Sequence, residues 1–253
     1  MHRGLDRPGR IGRTLADSAP LPYEPPRPPA GAPNVVVIVL DDLGFAQLGC
    51  YGSAIGTPRI DQIAENGLRY NNFHVTAMCS PTRACLMTGR NAHAVGMGYV
   101  SDFSMGFPGY SGRIPPSAGT LPRLLRDAGY NTFAVGKWHL TPKQDQGPSG
   151  PFDRWPLGMG FERYYGFIGG STNQWTPSLV RDNGFIQPPY APSEGYHVTE
   201  DLATQAIRLI KDQRRSAPDK PFFLYFATGA VHNPHQAPRS SIEPYRGRFD
   251  AGW

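Results

Sequence analysis

Cysteine is scarce: the chain has three in 253 residues, an odd number too small for a disulfide framework. That excludes a cystine-stapled secreted scaffold and suits a reducing compartment. Long apolar runs are missing as well. The longest, such as Val35 to Leu40, have six residues, far short of the ~20 that a membrane-crossing helix needs. The opening stretch MHRGLDRPGRIGRTLADSAPLPYEPPRPP has no apolar segment of the kind a secretory signal carries. A cytoplasmic location with no membrane partner is the expectation. A large excess of one charge is also absent. Lys plus Arg number 25 against 20 Asp plus Glu, a net charge of +5, and the basic residues are scattered. That gives no nucleic-acid footprint and favours anionic ligands only weakly.

Gly and Pro are plentiful, 30 and 27, which predicts many loops and short helices. Residues 1–33 hold eight prolines and little periodic hydrophobicity. They read as an extended arm laid over the surface of a folded part that spans 34–253. No internal repeat is present.

The folded part opens with NVVVIVL (Asn34 to Leu40), continuous and β-branched, as in a parallel strand buried on both faces. TPRIDQIAENG then has helix grammar. Thr57 is at the cap, Pro58 at the first helical position, Ile60, Ile63 and Ala64 form the stripe, and Gly67 is the stop. A second helix is predicted over about Pro81 to Thr88. TLPRLLRDAG predicts a third, with Leu121, Leu124, Leu125 and Ala128 on one face and Gly129 as terminator. NTFAVG is a strand. TEDLATQAIRLIKDQRR is a helix capped by Thr199, with Glu200 and Asp201 at its positive end and Lys211, Arg214 and Arg215 at its negative end; Leu202, Ala206, Leu209 and Ile210 face inward. PFFLYFAT is a further buried strand. Strands alternating with helices predict an α/β fold with a mostly parallel sheet and helices on both faces.

Each predicted strand hands the chain to polar residues: Asp41-Asp42, then Lys137-Trp138-His139, then a loop with His232 and His235. In open α/β sheets ligands bind outside the carboxyl ends of the strands. Two carboxylates, an ammonium and two or three imidazoles are therefore expected to converge on one crevice. Adjacent carboxylates repel unless a cation or donors lie between them, and Ca²⁺ or Mg²⁺ meets that need with oxygen ligands. A capping Asp beside a solvated one is the alternative; the Lys and His at neighbouring strand ends put the metal reading ahead. On an extended segment Lys137 and His139 point the same way and Trp138 the other. A His232–His235 zinc pair ranks low, because the loop is Pro-rich and no cysteine cluster accompanies it.

CSPTRACLMTGR, Cys79 to Arg90, places a cysteine at an expected helix start with Arg83 one turn on. That setting favours an anion or a thiolate; a buried, inert cysteine is the alternative. Cys50 and Cys85 are assigned to that inert class, and His74 and His93 to structural roles.

Cys79-Ser80-Pro81-Thr82-Arg83 followed by Thr88-Gly89-Arg90 resembles the C-x-P-x-R…TGR signature of the sulfatase family, within the alkaline-phosphatase-like superfamily. NVVVIVLDDLG, TPRIDQIAENG, GYNTFAVGKWHL and FFLYFATGAVHNPH resemble that family's other N-terminal blocks, in the same order, and the bacterial arylsulfatase branch is the most similar. The resemblance implies an alkaline-phosphatase-like fold and hydrolysis of small sulfate esters. It implies that Cys79 is converted to formylglycine (3-oxoalanine) by a formylglycine-generating enzyme, and that the hydrated aldehyde attacks sulfur. Asp41, Asp42 and the Cys79-derived residue would ligate a divalent cation, Ca²⁺ ahead of Mg²⁺. Arg83 would hold formylglycine, Lys137 would contact sulfate and nucleophile, His139 would take the proton that releases sulfate, and His232 would assist the leaving group. The family's second metal-ligand pair, a further lysine and a smaller C-terminal domain are not found in this sequence. The expectation is therefore an N-terminal portion of a sulfatase catalytic domain, apparently truncated, that a complementing C-terminal chain would complete. Phosphonate or phosphodiester hydrolysis and a catalytically inactive fragment remain as alternatives.

Overall fold

The run Val35–Val39 does form a strand, but its burial alternates. Val36 and Ile38 are 47% and 54% exposed, so only every second residue reaches the core. The computed structural model describes residues 9–22 and 24–250 and shows why. This strand, β1, is the edge of a six-stranded sheet, not an interior strand. The other elements follow in chain order: α1 (Pro58–Glu65), α2 (Cys79–Thr88), α3 (Leu121–Asp127), β2 (Asn131–Lys137), β3 (Arg163–Phe167), β4 (Leu179–Arg181), β5 (Gly184–Ile186), α4 (Val198–Ser216), β6 (Phe222–Ala227) and α5 (Arg239–Ile242). The sheet order is β1-β6-β2-β3-β4-β5. The first four in that order are parallel, and β4 and β5 close the far edge antiparallel.

β2 and β6 are buried almost throughout, as their apolar composition predicts. The sheet has a core on each face. On one, α2 (Ala84, Met87) and α3 (Leu121, Leu125) pack with Trp138, Phe161, Phe223 and Tyr225. On the other, α4 (Val198, Leu202, Ala206) packs with Phe133, Tyr165 and Leu224. Helices thus lie on both faces, as expected. Each large side chain moved from water to these layers contributes about 1.5–3 kcal/mol.

Several local expectations are corrected. α2 begins at Cys79, two residues before the predicted start, and Gly89 ends it in the left-handed region (φ 64°). α4 is capped by His197, whose Nδ1 accepts from the Thr199 N–H at 3.3 Å, so Thr199 is inside the helix. Thr57 sits at the cap of α1, yet its hydroxyl bonds Gly49 N and Asp61 Oδ1 and leaves the helix end uncapped. α1 ends at Glu65 with Asn66 as its C-cap and Gly67 just beyond, and its stripe is only half covered, with Ile63 65% exposed. Leu124 and Ala128 also face solvent. β3, β4 and β5 lie outside the predicted elements altogether. In the N-terminal arm, Arg10 and Ala19 form an isolated antiparallel bridge, and residues 25–32 run beside Gly129 and 216–221. Residues 1–8 and Tyr23 of that arm, and 251–253, lie outside the described residues. Among the described residues no helix is long and apolar enough to cross a membrane.

Candidate active site

Parallel strands β1, β6 and β2 deliver their carboxyl ends side by side, and the polar residues that follow them meet there. Asp41 follows β1. Its backbone N–H donates to Ala230 O at 2.8 Å, and its carbonyl accepts from Val231 N–H at 2.7 Å. These two bonds tie the loop that carries His232 to the end of β1. From β2 comes Lys137, whose Nζ lies 2.5 Å from Asp41 Oδ2. Gly136 before it has φ 106°, and a Cβ there would fall 1.8 Å from Ala227 O of β6. Only glycine lets β2 and β6 approach closely enough to set Lys137 at this depth.

Arg83, one turn into α2, is 1% exposed and reaches across the same floor. It donates to Lys137 O at 2.8 Å and Tyr225 Oη at 2.9 Å, and pairs with Asp41 Oδ1 at 3.2 Å. Its described hydrogen bonds go to this frame and none to Cys79. Its Nε is buried with no partner among the described residues. Burial by itself pushes the Asp41 carboxyl up. The Arg83 and Lys137 charges outweigh that and hold it below its ordinary value.

Cys79 stands at the first position of α2, where free backbone N–H groups and the helix dipole favour negative charge. Its Sγ is 3.0 Å from His139 Nδ1. Burial raises the thiol, but the His139 hydrogen bond and charge, with help from Lys137, bring it below its ordinary value. His139 does not continue the strand, contrary to the extended geometry expected of it. Its φ is 54°, a left-handed conformation that turns the imidazole back onto Cys79. Lys137 and His139 still serve one site, while Trp138 is buried in the core with its Nε1–H donating to Arg154 O at 2.9 Å. Asp42 shares the left-handed conformation (φ 58°). Backbone strain of this kind persists where surrounding contacts enforce it.

Asp102 joins the site without having been expected from the sequence. It lies in the short turn Ser101–Phe103, and its Oδ2 is 2.5 Å from His139 Nε2. Burial alone would lower the His139 pKa; the Asp102 and Cys79 partners raise it above its ordinary value. No motif marks Asp102. Ser101 N–H donating to Ser80 Oγ (3.1 Å) brings its turn onto α2, and that contact is visible only in three dimensions.

His232 is partly buried, 3.7 Å from Asp42 Oδ2 through Nε2, and its Nδ1 contacts Asn233 O at 2.7 Å. His235 and His74 are exposed, and His93 pairs with Tyr110 Oη at 3.1 Å. Cys50 and Cys85 are free thiols but only partly buried, which corrects their assignment to the interior. A cavity of about 590 Å³ opens over the site, lined by Asp41, Asp42, Cys79 and Arg83 and walled by apolar residues such as Phe73 and Leu86.

As cation ligands the carboxylates are poorly placed on their own. Both Asp41 oxygens are engaged by Lys137 and Arg83, and Asp42 is exposed. No group of three or more His, Cys, Asp or Glu that could hold a metal ion exists among the described residues. Ca²⁺ takes 6–8 oxygen ligands, so the residues present do not form its shell by themselves.

Comparison with known proteins gives the chain's family. The sulfatase family model matches residues 33–253. An uncharacterised sulfatase of Schizosaccharomyces pombe is 34% identical over 242 residues, covering 87% of this chain and 41% of that protein. The arylsulfatase of Klebsiella aerogenes is 30% identical, covering 87% of this chain and 47% of that protein. Human arylsulfatase A is 34% identical, covering 85% and 44%. Among solved structures, Ps i-CgsB in complex with k-i-k-neocarrahexaose superposes with a TM-score of 0.70 at 29% identity, over 85% of this chain and 48% of that one. A member of the alkaline phosphatase superfamily from Vibrio parahaemolyticus, at 19% identity and a TM-score of 0.51, shares the fold. The chain spans less than half the length of each of these proteins. It belongs to the sulfatase family.

Proposed function

We propose that this chain carries the nucleophile of a sulfate-ester hydrolase of the arylsulfatase type. One observation carries the reading. The side chain of Cys79, at a helix N-terminus, is 3.0 Å from an imidazole and backed by two buried cations set against one carboxylate. An anionic group that develops charge is the ligand such a floor suits.

Formylglycine made from Cys79 supplies an oxygen nucleophile directed at sulfur. The rest of the chemistry belongs to the chain's own side chains. His139 Nδ1 accepts the proton that must leave the group at position 79. Arg83 acts through the frame it braces and through its charge. Lys137 is 1% exposed and spent on Asp41; it contributes to sulfate binding by charge rather than by the direct contact the family resemblance implies. His232 donates Nδ1–H to Asn233 O, which leaves Nε2 as the nitrogen facing the site. A proton there makes the imidazolium that protonates the departing alcohol oxygen. Asp41 and Asp42 are this chain's share of a divalent-cation site, Ca²⁺ being the expected ion.

A polypeptide partner belongs to the same reading. β1 is an open edge with Val36 and Ile38 exposed, and the relatives are more than twice as long as the matched region. A complementing C-terminal chain pairs along β1 and walls the cavity on its open side.

The test is coexpression with a formylglycine-generating enzyme, mass spectrometry of the Cys79 peptide, and assay with an aryl sulfate and an aryl phosphodiester. The assay is run on the chain alone and with a complementing C-terminal part. The expected result is conversion at Cys79 only, with Cys50 and Cys85 unchanged, and sulfate-ester turnover that Cys79→Ala abolishes. A persistent thiol at position 79, in a host that converts a control sulfatase, refutes the proposal. Turnover confined to the phosphodiester moves the enzyme to the neighbouring chemistry.

A further inference from the structure

His139 is held through both its backbone and its ring, and most of those contacts come from residues with no part in the proposed chemistry. Its carbonyl oxygen accepts from Ser80 Oγ at 2.7 Å and Ser101 Oγ at 3.4 Å. Its ring lies against Gly170, where a Cβ would fall 2.7 Å from His139 Cε1. Its Nε2 meets Asp102 Oδ2 at 2.5 Å. The other Asp102 oxygen accepts from Gln146 Nε2 at 3.3 Å, and the same Nε2 donates to Thr141 O at 2.9 Å. Asp102 is therefore anchored to the segment just downstream of His139 as well as to α2 through Ser101.

An ionised carboxylate only accepts hydrogen bonds. Held against Nε2, it requires the ring proton to sit there, which leaves the Nδ1 lone pair aimed at the side chain of residue 79. The partner of one imidazole nitrogen fixes the role of the other. We propose that Asp102, supported by Gln146, is the positioning residue for His139: it selects the Nε2–H tautomer and so makes Nδ1 the proton acceptor facing position 79. This rests on the proposed role of Cys79, but its structural half can be tested without turnover.

The chain is labelled with ¹⁵N-histidine in a Cys79→Ser background, which puts a hydroxyl where the nucleophile's oxygen belongs. Spectra are recorded at alkaline pH, where the ring is neutral. The expected signature is a downfield ring N–H proton on Nε2 of His139, protected from solvent exchange. It disappears in Asp102→Leu, survives in Asp102→Glu and exchanges faster in Gln146→Leu. A protected proton on Nδ1, or an Nε2 signal unchanged by Asp102→Leu, overturns the proposal. If Asp102→Leu fails to fold, Gln146→Leu decides: an unaltered exchange rate there counts against the arrangement.

In the formylglycine-bearing, complemented enzyme, Asp102→Leu is expected to lower kcat about 10²-fold or more, the usual worth of a proton-transfer group, with little change in KM. A fall in kcat/KM that resides in KM alone overturns the positioning role. If the wild type itself has no sulfatase activity, the proposed function fails, while the ring-proton spectra still decide whether Asp102 sets the tautomer.

Discussion

Asp41 is the keystone of the buried floor, and Asp41→Asn tests what holds it there. The carboxylate is 5% exposed and bridges Lys137 Nζ at 2.5 Å and Arg83 Nη2 at 3.2 Å. The substitution keeps the shape and removes the charge, leaving two buried cations uncompensated. Breaking a buried pair in this way costs about 3–5 kcal/mol. With a urea slope of about 2–3 kcal/mol/M, the unfolding midpoint should drop by about 1–2.5 M. The measurement is made in chelator, so that no divalent cation contributes. Asp42→Asn is the comparison: Asp42 is exposed, with His232 Nε2 3.7 Å away, and the change should stay within about 0.5 kcal/mol. The pH dependence has a defined sign. A carboxyl held below its ordinary value of 3.8 lends full stability above that value. The contribution is lost as pH falls through the lower folded-state value, so wild type and Asp41→Asn converge only in strong acid. If Asp41→Asn loses less than about 1 kcal/mol in chelator, or gains stability, the carboxylate is not the counter-ion of Lys137 and Arg83.

Other perturbations have equally direct readings. Gly136→Ala drives a Cβ to 1.8 Å from Ala227 O at a φ of 106° and should cost more than about 4 kcal/mol; a soluble variant with an unchanged thermal midpoint would refute the close approach of β2 and β6. Tyr225→Phe removes the 2.9 Å bond to Arg83 and should cost about 1–3 kcal/mol by urea titration. Ile38→Lys, on the open edge strand, should shift stability by no more than about 0.5 kcal/mol while reducing self-association measured by light scattering. His139 has its pKa raised above 6.5, so its contribution is complete below 6.5 and disappears as pH rises through the folded-state value; His139→Gln should flatten the urea midpoint across that window.

What the sequence discloses follows from what a sequence encodes. Buried strands advertise themselves by continuous apolar composition, and β2 and β6 are legible that way. β1 carries the same composition but stands at an edge, because strand order is a property of the assembled sheet and leaves no local trace. β3 is short and mixed in character. β4 and β5 are three residues each, joined by Asp182-Asn183, a two-residue hairpin loop with Asp182 at φ 56°; an Asp-Asn-Gly turn signal is there to be read. In the site, Asp41, Cys79, Arg83, Lys137 and His139 are legible because they lie at or just past strand ends or in the first turns of a helix. Asp102 is not, because a carboxylate in a loop becomes a partner of His139 only once Ser80 and Ser101 dock their segments together. The cap of α4 escapes the sequence pattern for a related reason: His197 outcompetes Thr199 because its ring nitrogen can reach the Thr199 N–H.

The charge arrangement connects these residues to one another. Arg83 and Lys137 supply two positive charges to the floor and Asp41 supplies one negative, all nearly inaccessible to water. An uncompensated buried charge is costly, so the excess favours an anion at an open position beside it. That position is the side chain at residue 79, already at the positive end of α2. Burial raises the Cys79 thiol, and the His139 hydrogen bond and charge, with Lys137 adding to them, bring it below its ordinary value. Asp42 and Asp102 sit farther out, each facing a histidine rather than the floor. They leave the central excess in place, and Asp102 holds the His139 ring through Nε2. The acids are thus placed differently: Asp41 is engaged by the two buried cations, while Asp102 and Asp42 lie beside imidazoles.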